Sequence, residues 1–443
     1  MAIPSVDHES FTEILRTHLS PSSPIQSSEH LYGREMQLRT IDQALHATGR
    51  HIFIYGDRGV GKTSIAQTAA FLHQSADRDP ILVACTRGVT FYSLIRSIAR
   101  KLHRKPLSGV QTVTKRRGLA AAWMNYENSI ISSSGDVPQV GDMNEAVDLV
   151  SAVGKEYSKQ TLIVVDEFDL VTDPKEKELF ADFIKQIGDQ RIPVHFIFCG
   201  IGESLDQLLG AHGSCFRYLE GVEVPRLYFE GRFSIIDGSA AALGVKVTDE
   251  QRFRVAAISD GFPYYIHLIC EKLYWELFNA PGFEAVVMPR TYGAAIRAAI
   301  NGIQQELRRA YDKATAGKAD ALEPILWAAA DHSNLIRNRE QIFTSYLTIA
   351  KRLEQEPVDK RMFGRKLGHL RSEACGKILV APRRGLARFR ESMLRGYVRL
   401  RAEAEGILLA TDYGEIPEER ITARSRKQLP IRHWRHQILQ SED

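Results

Sequence analysis

One segment, Ile52-Phe53-Ile54-Tyr55-Gly56-Asp57-Arg58-Gly59-Val60-Gly61-Lys62-Thr63-Ser64, constrains the fold of this chain more than any other. Ile52–Tyr55 reads as a short buried strand and Ser64–Leu72 as a helix. Between them stands Gly56-x-x-x-x-Gly61-Lys62-Thr63. Glycines let successive backbone N–H groups turn inward and approach a polyphosphate closely. A helix beginning near Lys62 offers free amides and the positive end of its dipole to the same anion. Lys62 can reach the β- and γ-oxygens, and the Thr63 hydroxyl can reach Mg²⁺. A strand before and a helix after distinguish such a loop from a chance glycine-rich turn. Gly56, Asp57, Arg58, Gly59, Val60, Gly61, Lys62, Thr63 and Ser64 are therefore expected to cradle a nucleotide.

A second segment supplies the missing chemistry. Leu162-Ile163-Val164-Val165-Asp166-Glu167 reads as a buried strand ending in two acids. At the carboxyl edge of a parallel sheet, such acids face the ligand crevice. Asp166 is suited to the Mg²⁺ shell and Glu167 to orienting and deprotonating a water for attack on the γ-phosphate. Alone, an apolar run followed by two acids is a weak signal; paired with the loop at Lys62 it is a strong one.

The chain has 443 residues, enough for two or three domains. A polar arm at 1–30 precedes three blocks. Residues 31–232 alternate apolar runs with helical stretches, which predicts a parallel sheet with crossover helices. Residues 106–140 read as an irregular insertion. Residues 233–316 carry helices only, at Phe233–Leu243, Asp249–Ser259, Tyr264–Phe278 and Arg290–Ala314, with Asp260-Gly261-Phe262-Pro263 breaking two of them. Residues 321–413 carry three short helical patterns and then strand, turn and strand around Arg383-Arg384-Gly385. A polar, basic tail occupies 414–443. Five cysteines without paired spacing argue against a disulfide framework or a zinc site and fit a reducing cytosol. Met1–Glu29 lacks the apolar core of a signal peptide, and no stretch approaches the ~20 apolar residues of a membrane span. A cytoplasmic protein without a membrane partner is expected.

Net charge is only +4, yet Lys360–Arg401 holds thirteen Lys/Arg against Glu373 and Glu391, an excess of +11. Arg96–Arg117 adds eight basic residues and no acid. Clustering of this kind is the electrostatic footprint of a phosphate-backbone binder; a solvated face or a docking surface for an acidic protein is the alternative. Phe363, Leu367 and Leu370 follow a helical stripe and are expected to face a core, leaving Arg361, Arg365 and Lys366 largely on other faces.

The order of Gly33-Arg34-Glu35, the loop at Gly56–Thr63, the acidic segment Leu162–Asp169 and the stretch Phe216–Leu227 resembles the AAA+ ATPases, and within them the initiator branch that includes origin-recognition proteins. The resemblance covers about residues 31–280. It implies ATP with Mg²⁺ as cofactors, places Gly33 and Arg34 near the adenine, and puts Arg217 where the family carries an arginine finger that reaches a neighbouring subunit's γ-phosphate; Arg226 is the nearest competitor. It also implies a head-to-tail homo-oligomer. The basic helix and hairpin at the C-terminus resemble a winged helix, which in initiator ATPases binds duplex DNA. Two departures stand out. The polar sensor after the acidic strand has only Glu203 and Ser204 as loose candidates. Tyr264-Tyr265-Ile266-His267 replaces the usual lid arginine, and the Gly-x-Pro turn before it is similar to that of signalling switch ATPases. Slow hydrolysis or an ATP-held switch is accommodated as well as fast cycling. The expected fold is α/β, a P-loop parallel sheet with a helical lid and a winged-helix-like C-terminal domain. The expected function is an ATPase acting at double-stranded DNA as an initiator or loader, with a transposition regulator or a defence switch docking a protein effector as alternatives.

Overall fold

The computed structural model describes residues 7–21, 24, 28–76, 78–104, 140–202, 215–282, 286–317 and 319–409. The expected insertion, but for Val140, and the basic tail fall outside them, as do Glu203 and Ser204.

The chain opens with α1 (His8–His18), where a flexible arm was expected. Asp7 caps it by accepting from the Ser10 amide at 2.8 Å. The correction has a packing cause: Phe11 and Leu15, one turn apart, are buried, and Phe11 stacks on Phe278 with centroids 4.3 Å apart. The polar composition of this segment hides that two-residue anchor.

The predicted alternation then appears as α2 (Glu35–Leu45), β1 (His51–Gly56), α3 (Lys62–His73), β2 (Ile81–Ala84), α4 (Phe91–Arg104), α5 (Met143–Tyr157), β3 (Thr161–Asp166), α6 (Pro174–Asp189), β4 (Val194–Ile201) and β5 (Leu219–Glu223). The five strands are parallel, in the order β2-β3-β4-β1-β5. Their runs are apolar on both faces because both faces are covered. Ile52, Ile54, Leu162 and Val164 pack with Ile65, Ala66 and Ala69 of α3, whereas Phe53, Ile163, Val165 and Phe198 pack towards α4, α5 and α6. β1 pairs on both sides, so the loop after Gly56 leaves the middle of the sheet at its carboxyl edge.

A helical unit follows: α7 (Phe229–Ala242), α8 (Asp249–Ser259), α9 (Pro263–Asn279), α10 (Pro289–Gly302) and α11 (Gln305–Thr315). The expected boundary at 232/233 falls inside α7. The single helix expected over Arg290–Ala314 is two, because Ile303 takes an extended conformation between them.

The C-terminal unit contains α12 (Ala319–Ala330), β6 (Arg337–Asn338), α13 (Arg339–Arg352), α14 (Lys360–His369), β7 (Leu379–Val380) and β8 (Leu386–Phe389), with the strands in an antiparallel sheet ordered β6-β8-β7. A further helix, α15 (Ser392–Ala404), was not foreseen. One apolar cluster runs from the α3 face of the sheet through the helical unit to α15, so the three parts share a core. No helix among the described residues is long and apolar enough to cross a membrane, and all five cysteines are free and buried.

Candidate functional site

The loop after β1 takes its shape from glycine. Gly56 has φ 146°, and a Cβ there would lie 2.5 Å from the Val224 carbonyl oxygen, so no other residue fits. Gly61 caps α3 in the left-handed region. Val60 is wholly buried and pins the loop to the core. Lys62, 8% exposed, turns back over the loop and donates to the carbonyls of Gly56 at 3.2 Å and Asp57 at 2.7 Å. Burial lowers its pKa, an effect that Asp169, Asp166 and Asp57 offset in part.

Across the crevice, Thr63 Oγ1 donates to Asp166 Oδ2 at 2.6 Å. The helix start and the acidic strand end are thus joined by one hydrogen bond. A hydroxyl and a carboxylate oxygen are hard donors, and a cation that keeps several waters and takes phosphate oxygens needs few protein ligands. The donor set therefore fits Mg²⁺, although no group of three or more metal-ligating side chains occurs among the described residues. Glu167 is exposed and has φ 55°, a conformation that costs a non-glycine residue about 1–3 kcal/mol. Its amide donates to Asp166 Oδ1 at 2.8 Å, which ties the strained residue to its neighbour.

Gly33 and Arg34 support this loop from behind. Arg34 is 3% exposed and donates through Nη2 to the Val60 carbonyl at 2.7 Å; burial lowers its pKa to about 10. Gly33, at φ 69°, lies against the Gly231 backbone of α7. Asp169 ends the acidic segment Leu162–Asp169, in which only Asp166 and Glu167 have an expected role. It accepts from the Ile201 amide at 2.8 Å and so fixes the end of β4 beside the crevice. Its signal was present in Asp166-Glu167-Phe168-Asp169, three residues after the first acid.

Arg217 is not part of this cluster. It precedes β5, at the amino end of the sheet, whereas the loop leaves the carboxyl end. The five residues of β5 separate the two ends by roughly 15 Å. Arg217 is 61% exposed, pairs with Asp189 at 3.2 Å and lies over the Tyr218 ring. Arg226 is near the loop but is bound to Asp260 Oδ1 at 2.7 Å. His267 is buried and accepts from the Ser20 amide at 3.4 Å; burial lowers its pKa to about 4, and it serves packing.

The basic block also differs from its charge count. Arg361 and Arg365 are exposed, and Phe363, Leu367 and Leu370 are buried as the stripe predicts. Arg395 and Arg399, two of the thirteen basic residues, turn inward, each 1% exposed. Both bind Asp260, a wholly buried carboxylate on the turn before α9. A cavity of about 400 Å³ adjoins the loop; it is lined by Gly56, Asp57 and Val60, by Glu223–Arg226 after β5, and by C-terminal residues including Ile336, Arg388 and Arg395.

Residues 30–197 match the family model of the AAA ATPase domain. No curated protein matches the chain. Among solved structures, the Walker-type ATPase PABY2304 of Pyrococcus abyssi is 15% identical with a TM-score of 0.49, over 85% of this chain and 99% of that one. Cdc6p of Pyrobaculum aerophilum is 16% identical with a TM-score of 0.41, over 91% and 99%. The Aeropyrum pernix Orc1 protein, solved in complex with DNA, is 15% identical with a TM-score of 0.41, over 85% and 93%. Likenesses this distant transfer no role.

Proposed function

We propose that the chain, whose residues 30–197 match the family model of the AAA ATPase domain, is an ATP-hydrolysing initiator- or loader-type nucleotide switch acting at duplex DNA. The observation that carries the site assignment is the Thr63–Asp166 hydrogen bond at the mouth of the sheet, with Lys62 on one side and the strained Glu167 on the other. The backbone amides of 57–64 receive the phosphates, and Lys62 exchanges its loop carbonyls for β- and γ-oxygens. Thr63 and Asp166 would hold Mg²⁺, which supplies charge neutralisation on the polyphosphate. Glu167 orients the attacking water and accepts its proton.

Arg217 acts in trans in this reading. Its exposure at the far end of the sheet supports reaching a neighbour's site in a head-to-tail homo-oligomer. DNA recognition falls to the C-terminal unit. Its order of helix, strand, two helices and hairpin is that of a winged helix, with α14 as the recognition helix and Arg383 and Arg384 at the hairpin turn. Each phosphate neutralised releases counterion, so affinity falls steeply with salt.

The test is fluorescence anisotropy of a labelled duplex across a salt series, with ATP, for the wild type and Lys62→Ala. Five to eight contacts predict a loss of about a hundredfold or more between low and physiological salt. A flat, weak response in the wild type overturns the DNA role. The Lys62→Ala protein is expected to bind no ATP and to ignore its addition.

A further inference from the structure

We propose that Glu306 and Glu391 form a latch on Arg58 of the phosphate loop, an autoinhibitory contact that holds the loop in its ligand-free shape and that the phosphates of a nucleotide displace. The proposal rests on the assignment of Gly56–Thr63 to ATP. Arg58 is half exposed, and its two carboxylate partners come from outside the sheet. Nη2 donates to Glu306, in the first turn of α11, at 3.1 Å, and Nη1 to Glu391, just before α15, at 3.5 Å. Lys62, the other cation of the loop, is folded back onto the carbonyls of Gly56 and Asp57. Both positive side chains of 56–63 are thus turned to partners within the chain, one to the loop itself and one to two distant acids.

The side of the loop that carries Arg58 is also gripped by packing. Met393, in the first turn of α15, lies on Gly59 so closely that a Cβ there would stand 2.4 Å from its Sδ, whereas a Cβ at Gly61 would meet no described atom within 4 Å. The helix that grips is itself fixed. Tyr265 donates to the Met393 carbonyl at 2.6 Å, and Arg395 forks onto Asp260 at 2.6 and 2.7 Å, all in buried surroundings. The loop is therefore the part that yields. A polyphosphate received by the amides of 57–64 brings several negative charges beside Arg58, and a charge-assisted bond to phosphate replaces the two carboxylate pairs. An exposed ion pair is worth up to about fivefold in an equilibrium constant, so the latch sets a threshold for nucleotide and does not bar it.

The experiment uses the full chain and two readouts. Without nucleotide, hydrogen exchange of the loop amides at 57–61 is compared in the wild type and in the double variant Glu306→Gln with Glu391→Gln. Release of the latch is expected to speed exchange about fivefold, and equal exchange overturns the proposal. A fluorescent ATP analogue, mant-ATP, is then titrated. The double variant is expected to bind about fivefold more tightly than the wild type, and unchanged affinity overturns the latch. Loss of two negative charges favours an anion by itself, so the same two substitutions are repeated on Arg58→Gln. A latch acting through Arg58 gives no gain in that background; a gain as large as in the wild-type background assigns the effect to the general field and overturns the latch. Lys62→Ala separates the two layers of the reading. Wild-type affinity in that variant removes the loop assignment and the latch with it. Lost binding there, beside no gain in the double variant, overturns the latch alone and leaves the loop standing.

Discussion

Asp166 and Asp260 are carboxylates at the two ends of one working region, and they are built differently. Asp166 ends a central strand, is half-buried, and accepts one hydrogen bond on each oxygen, from the Thr63 hydroxyl and the Glu167 amide. Asp260 lies at a helix end in the left-handed region, is wholly buried, and meets three guanidiniums. Arg395 grips it in a fork at 2.6 and 2.7 Å, Arg226 reaches it at 2.7 Å and Arg399 at 3.2 Å. The first arrangement leaves oxygen lone pairs for a ligand; the second commits both oxygens to buried arginines of the fold. Acids joined to hydroxyls at the carboxyl edge of a sheet are poised for exchange, whereas acids ringed by buried arginines hold elements together.

The sharpest way to break this contrast is Asp260→Ala. It leaves the buried Arg395 and Arg399 without their counter-charge, and the expected cost is about 3–5 kcal/mol, read by denaturant unfolding. Burial pushes the Asp260 pKa up, but the charges of Arg395, Arg399 and Arg226 outweigh it and hold the carboxyl below its usual 3.8. A depressed carboxylate pKa means stability that is present above pH about 4 and lost as pH falls through the folded value. Asp260→Asn is expected to abolish that acid-dependent contribution. A variant as stable as the wild type would remove the structural role given to Asp260.

Glu167→Gln tests the other side. Only the water-orienting group goes, so ATP affinity is expected to stay while turnover falls about a hundredfold or more. Turnover unchanged in a steady-state phosphate-release assay would place the base elsewhere.

The proposed trans role of Arg217 extends the comparison to a neighbouring subunit. Specific activity is expected to rise with protein concentration, and a mixture of Arg217→Ala with Lys62→Ala is expected to regain part of the activity lost by each. Concentration-independent specific activity with no regain would rule out a shared site.

Smaller effects follow from histidines. Burial lowers the pKa of His51 to about 3 and of His267 to about 4, from 6.5. Both stay neutral when folded, so their contribution is full above pH 6.5 and declines as pH falls towards those values. The slope is about 1.4 kcal/mol per pH unit for each, measurable by unfolding at pH 7.5 and 5 in wild type and His267→Asn. Smallest is Arg384→Ala at the hairpin turn, expected to lower the salt slope of DNA binding by about 1 while weakening all sequences alike.

Much of the proposed nucleotide site was legible because its parts are local. Gly56, Gly61, Lys62 and Thr63 lie within one turn, the glycines acting through backbone freedom and Lys62 and Thr63 through side chains that start from it, and Asp166 follows an apolar run that forms a buried strand. Resemblance places Arg34 near the adenine; what its spacing could not announce is that its Nη2 donates to the Val60 carbonyl, 26 residues away. Gly59 carries a second reason for being glycine, its contact with Met393, which no spacing announces. Arg217 could be singled out but not oriented, since only the sheet shows that it stands at the opposite end from its own loop.

The chain by itself determined the parallel sheet, the loop between β1 and α3, the acids after β3 and the apolar face of α14. Strand periodicity, glycine backbone freedom and helix spacing act over a few residues, so their consequences are written where the residues are. Tertiary structure decided which charges face water. A count of thirteen basic residues has no direction; Arg395 and Arg399 turned inward because a buried carboxylate 135 and 139 residues away compensates their desolvation. It likewise decided that Phe11 anchors the first helix and that the C-terminal unit walls the phosphate loop, because burial is a property of what two distant segments remove from water together.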